Sequence, residues 1–302
     1  MRRIMFASKG WKTLQEDYIS EDSRGMHLEK LHLYLQRDIS GYSYEEMTIH
    51  YGFLSHSALQ TAVAAYMQTG TVEHAEHYFY LAARAKAAGD ALWAANPHPQ
   101  KRPQQGLEIP LDCVMAAVLS GCVPAALGML EKIRLTFEME PPGKHRGNSR
   151  QDETRKGRIL LETNFYESLL NADDERAGRL LPDLEALSCD TLALQVMRAF
   201  LEQDQERFLD ALIQHMKEFR KTPYPEELNY FVLIMEALYQ RRSPLDPLDL
   251  ADAPASLVKL PECDPALAEE RLGVRFPSFD VEALLVIIDK KKLGPMFKKY
   301  GE

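Results

Sequence analysis

The chain reads as an all-α protein built of irregular stacked αα-hairpins, resembling a tetratricopeptide-like helical repeat. Three observations predict it. Apolar residues recur at helical spacing over most of the 302 residues. No pair of alternating apolar and polar segments flanks an Asn-Gly or Asp-Gly turn. The helical segments come in pairs, parted by short Gly, Pro or acidic turns.

Taken in order, Leu28, Leu31 and Leu35 after Gly25 share one face of a short amphipathic helix. Ser43 and Glu46 form a Ser-x-x-Glu capping box, which starts a helix at about Tyr44. A helix from His56 to Gln68 and a long one from Val72 to Ala95 flank Gly70 and Thr71; Pro97 and Pro99 stop the second. Cys113 to Leu130 holds 18 residues without a charge, close to the roughly 20 that cross a bilayer. Ser120, Gly121 and Pro124 interrupt it, so a buried hairpin is expected and no membrane span. In the second half, Asp173-Asp174-Glu175-Arg176 and Asp204-Gln205-Glu206-Arg207 stand 31 positions apart, each opening an apolar-periodic helix. That spacing is near the period of two-helix repeats. Two segments read as long loops: Glu140 to Arg158, with six basic against two acidic residues from Lys144 onward, and Ser243 to Pro265, with five prolines. The whole is read as a single helical domain, residues 1–302, with a candidate boundary near 140–158.

Composition narrows the function. With 36 Lys and Arg against 45 Asp and Glu the net charge is −9, which argues against a nucleic-acid partner, since phosphate binding draws on clustered cations. The four cysteines, Cys113, Cys122, Cys189 and Cys263, lie in unrelated contexts, none two residues from another. They read as reduced thiols of a cytoplasmic protein, and no signal-peptide hydrophobic region follows Arg2 and Arg3. No nucleophile elbow, zinc-protease helix, phosphate loop or dinucleotide turn is present, so no catalytic residue and no cofactor are assigned. His74 and His77 lie three apart and would supply two metal ligands, with no third residue forced by the sequence. From Tyr224 to Asp289 there are 13 acidic and five basic residues, leaving −8 on 66 residues. Such a field steers a basic partner.

The segment from Phe200, FLEQDQERFLDALIQHMKEF, followed by ELNYFVLIMEAL up to Leu238, resembles the C-terminal half of the immunity protein 49 family. The shared features are the acidic turn Asp204 to Glu206, a helix with Phe208, Leu212 and His215, a further apolar helix, and a loop starting at Ser243-Pro244. The likeness covers roughly 60 residues well. It implies an antidote that binds the catalytic domain of a cognate toxin and blocks it by stoichiometric occlusion, with no catalytic residues of its own. A basic toxin domain would meet Glu226, Glu227, Asp246, Asp249 and Asp252, with Tyr224 and Tyr230 as anchors. The alternatives are a helical-repeat scaffold holding a peptide or protein and a metal-dependent enzyme using His74 and His77, which two ligands alone do not support.

Overall fold

The capping box forms as the sequence dictates: the Ser43 N–H donates to Glu46 Oε2 at 2.9 Å, and the Glu46 N–H donates to Ser43 Oγ at 3.3 Å. These bonds belong to a computed structural model that describes residues 21–69, 75–98, 109–139, 149–187, 191–218, 230–231, 234–235, 238–239, 263–289 and 291–299. Every regular element among the described residues is helical. The helices are α1 (Glu21–Leu35), α2 (Tyr44–Thr69), α3 (Glu76–Ala94), α4 (Leu111–Leu119), α5 (Val123–Met139), α6 (Ser149–Leu170), α7 (Asp174–Leu187), α8 (Thr191–Leu201), α9 (Gln205–Glu218), α10 (Pro265–Leu272), α11 (Val281–Ile287) and α12 (Pro295–Lys299). Up to α9 each helix packs chiefly on its neighbours in sequence, the arrangement of stacked hairpins.

Local details differ from the periodicity reading. Tyr44–Thr69 is one unbroken helix rather than two, because Gly52 lies on an open face and breaks no backbone bond. On α1 the buried residues are His27 and Leu31, while Leu28 faces water. The basic segment expected as loop up to Arg158 is helical from Ser149, its Glu, Arg and Lys being good helix formers. The uncharged run at 113–130 is divided by Gly121 (φ 75°) into α4 and α5, and among the described residues no helix is long and apolar enough to cross a membrane.

Helix α3 is the hub. Its Ala82, Ala83, Ala85 and Ala88 are buried, and small residues there let α2, α4 and α5 all approach. At Gly89 a Cβ would stand 3.2 Å from Tyr51 Cβ, which marks a close approach of α2 to α3.

The 31-residue echo is structural. Helix α6 ends with Ala172 left-handed (φ 56°) and α8 with Gln203 left-handed (φ 56°). The Asp173 N–H donates to Ser168 O and the Asp204 N–H to Ala199 O, at 2.9 and 3.1 Å. Asp173 Oδ1 then accepts from the Arg176 N–H and Asp204 Oδ1 from the Arg207 N–H, both at 3.0 Å. A Schellman close followed by an aspartate cap is thus used twice in register. Because a left-handed L-residue costs roughly 1–2 kcal/mol, Ala172→Gly and Gln203→Gly are each expected to stabilise the fold by about 0.5–1 kcal/mol after the entropic cost of glycine. The two gains should add, as urea midpoints will show.

After α9, Tyr239 stacks on Phe208 at 4.4 Å and Phe231 on His215 at 4.8 Å, covering the α8–α9 hairpin. The C-terminal residues 263–299 then return to the first half as a strap. The Cys263 N–H donates to Ser120 O at 3.1 Å, Phe276 stacks on Tyr80, and Tyr51 donates its hydroxyl to Ser278 O at 2.6 Å. The Asp289 N–H reaches Tyr42 O at 3.0 Å, and Phe297, 1% exposed, plugs the start of α2. One core cluster runs from Leu31 to Phe297. Across the boundary considered near 140–158, α5 and α6 pack together, and Arg134 pairs with Glu167 at 2.5 Å.

Candidate functional site

Of the residues singled out for partner binding, Tyr224, Glu226, Glu227, Asp246, Asp249 and Asp252 lie outside the described residues. Tyr230 is described; it is half-buried, its ring against the core. Of the histidine pair, His74 also lies outside the described residues. His77 is buried, its ring 4.1 Å from that of Tyr78. Among the described residues no three His, Cys, Asp or Glu side chains are grouped to hold a metal.

The acidic C-terminal stretch is partly spent on its own backbone. Asp264 accepts from the Ala266 N–H, Glu269 from Phe276, Asp280 from Glu282 and Asp289 from Lys291. These carboxylates hold the strap's turns and still contribute their charge to the surface.

A different surface stands out on the outer side of α1 and α2. Leu33 is 62% exposed and Phe53 51% exposed, with Ile49 one helical turn before Phe53. The Phe53 ring lies parallel to Tyr34, centroids 5.7 Å apart and planes within 11°. Ile49 and Phe53, four apart on α2, with Tyr34 stacked on Phe53, leave apolar surface in water of the kind that a partner covers. The sequence signal for it was missed because periodicity assigns apolar residues of an amphipathic helix to the core; Ile49 and Phe53 instead occupy the face of α2 opposite its packing on α3.

Under this face sits a buried histidine. His50 is 4% exposed and receives the ring edges of Tyr34, Tyr42 and Tyr51 at 5.6–6.0 Å. Among the described residues its Nδ1 has no hydrogen-bond partner. Burial, with a smaller contribution from Arg37, pushes it down to about 4 from an ordinary 6.5. Folding therefore favours the neutral ring: its stabilisation is intact above pH 6.5 and is lost as pH falls through the interval from 6.5 to 4. Allowing for water at the ring's edge, the loss is about 2 kcal/mol. His50→Phe is expected to flatten the stability profile between pH 7 and 4, as urea unfolding at several pH values will report.

A second buried polar group lies where α3, α4 and α5 meet. Asp90 Oδ1 accepts from Lys86 Nζ at 2.9 Å and from Lys132 Nζ. The Lys132 ammonium also lies 5.4 Å from the centre of the Trp93 ring. Burial pushes Lys132 down to about 8; Asp90 opposes the shift and Lys86 adds to it. Burial works against the Lys86 ammonium too, but Asp90 beside it leaves it above its ordinary value. Burial, reinforced by Asp112, raises the neighbouring Cys113 thiol, which stays protonated. Chemically this is a charge clasp between α3 and α5.

Comparison with family models, with curated proteins and with solved structures finds no match.

Proposed function

We propose that this chain acts by binding another protein, as an immunity protein that occupies a cognate toxin's catalytic domain and blocks it. The observation that carries the reading is the apolar face of Leu33, Ile49 and Phe53, which a helical stack leaves in water and a partner would cover. The net charge of −9 supports a basic partner, whose approach it would accelerate. The resemblance of residues 200–238 to the immunity protein 49 family supports the toxin in particular. Cytoplasmic placement belongs to the same reading, since an antidote must meet the toxin where it acts.

Where the neighbouring reading frame encodes a growth-arresting protein, co-expression with this chain is expected to restore growth, and the two purified proteins to form a one-to-one complex. Phe53→Asp should weaken that complex at every salt concentration, by tenfold or more for a central apolar anchor. Charge reversal at Asp246, Asp249 and Asp252 should weaken it mainly at low salt, through slower association. Continued growth arrest despite soluble co-expressed protein would refute the toxin assignment. Undiminished affinity with Phe53→Asp would remove the α1–α2 face from the interface.

A scaffold that holds an extended peptide is the second reading. It is favoured by the strap, a segment of three short helices and their connecting turns that already lies against α2 and α3.

A further inference from the structure

Nothing in the spacing of the four cysteines pairs any two of them, but the fold brings the backbone at Cys263 onto the turn that carries Cys122. Cys122 directly follows the left-handed Gly121 in the α4–α5 turn and is fully buried. Cys263 opens the strap and is 8% exposed. The two backbones meet where the Cys263 N–H donates to Ser120 O at 3.1 Å, two residues before Cys122. Charge on Cys122 is the smallest of the influences that disfavour ionisation of Cys263, after burial, Glu76 and Asp264. Neither is part of a disulfide in this structure.

We propose that Cys122 and Cys263 are a redox pair, whose oxidation to a disulfide fastens the C-terminal strap to the α4–α5 turn. Hydrogen peroxide or a similar two-electron oxidant supplies the driving force. One thiolate attacks a peroxide oxygen and becomes a sulfenic acid, releasing water once a proton is taken up. The second thiolate then attacks that sulfur, forming the S–S bond and expelling a second water. Two thiols lose two protons and two electrons, and peroxide is reduced to two waters.

The surroundings set the rate. Burial, with Glu76 adding to it, pushes the Cys263 thiol up to about 12, so the attacking thiolate is scarce while the strap is seated. Arg271 pairs with Glu76 at 3.2 Å at the outer edge of the same place, tying α10 to α3. Lifting α10 would expose and ionise the thiol, so oxidation reads out strap opening. Once formed, the bond closes a long loop and holds the strap down. A partner that needs the covered part of α2 and α3 would meet a locked protein under oxidising conditions and an openable one under reducing conditions.

The test uses the full chain, native and monomeric, treated with hydrogen peroxide in modest excess. The expected product has lost two of four titratable thiols and two hydrogen atoms, and its peptide map joins Cys122 to Cys263. The variant with Cys113→Ala and Cys189→Ala should form the same bond at the same rate. Cys122→Ser alone should abolish it. Glu76→Gln should speed it several-fold, because it both lowers the thiol's proton affinity and loosens α10. The oxidised protein should protect residues 263–299 from trypsin, and a thiol reductant should reverse that protection. A bond from Cys113 or Cys189, a disulfide-linked dimer, or sulfinic acid at Cys263 with no cross-link would each overturn the proposal.

Discussion

Replacing Asp90 by Asn is expected to lower stability by about 3–5 kcal/mol, the range for removing one partner of a buried ion pair. Asp90 is 5% exposed and is shared by two ammonium groups from different helices. Without its charge, Lys132, whose side chain is 11% exposed, would face the Lys86 ammonium with little access to water. Lys86 is 24% exposed and can turn its head outward; Lys132 has less room, so the penalty falls mainly on it. The pH dependence follows. Lys132 already sits at about 8, below its ordinary 10.5. The native state therefore resists its proton, and this cost is present below pH 8 and fades as pH rises towards 10.5. Losing Asp90 removes the carboxylate that favours the charge, so Lys132 shifts lower still. The deficit of Asp90→Asn should then be greatest near pH 6 and shrink by pH 9.5. Adding Lys132→Met should return part of the lost stability at pH 7, because an apolar side chain no longer carries a buried charge. Urea unfolding at the three pH values checks each step. A loss below about 0.5 kcal/mol at pH 6 would show the pair to be solvated and not structural.

What the sequence reveals and what it hides divide along contact range. The Ser43–Glu46 box and the caps at Asp173 and Asp204 are local, each closed within three residues, and their residue types name the bond before it is seen. The alternation of turns and apolar helices therefore gives the hairpin architecture directly. The strap follows no such rule. Tyr51 reaches Ser278 and Glu45 reaches Phe297, contacts between residues more than two hundred positions apart that leave no periodic mark. Residues 263–280 contain one short helix, so their aromatic anchors Phe276 and Phe279 read as loop residues until α3 is seen beneath them. The candidate face on α1 and α2 was hidden for the opposite reason. Ile49 and Phe53 are apolar residues on a helix, and composition alone sends such residues inward. His50 lies between them in the sequence yet points into the aromatic cluster, so the inner and outer faces of α2 are both rich in large side chains. Charge was legible as a sum but not as a set of partners: four of the strap's six acidic groups, Asp264, Glu269, Asp280 and Asp289, accept from its own backbone.

Replacing Gly294 by Ala should detach the end of the strap. Gly294 has φ 80°, a conformation that L-residues adopt only at a cost of roughly 1–2 kcal/mol. An added Cβ would also fall 2.6 Å from Glu45 Cβ, an atom fixed to the backbone of α2 and unable to swing away. Glu45 is itself 6% exposed, and its Oε2 accepts from the Phe297 N–H at 3.4 Å, so the clash lies at the contact that seats α12. The segment must lift, and Phe297 must leave its socket. Burying a Phe is worth about 3–5 kcal/mol by truncation, which sets the expected loss from Gly294→Ala at about 3–4 kcal/mol if unfolding remains one transition. Phe297→Ala should cost a similar amount. The double variant should cost much less than their sum, since each alone already empties the same site. Limited proteolysis separates release of the end from general loosening: trypsin should cut at Lys291, Lys292, Lys298 and Lys299 far faster in Gly294→Ala, while the α6–α9 hairpins keep their resistance. Full additivity of the two losses would mean that Gly294 and Phe297 act separately, and protection of residues 291–299 in Gly294→Ala would mean that Glu45 can yield to a Cβ.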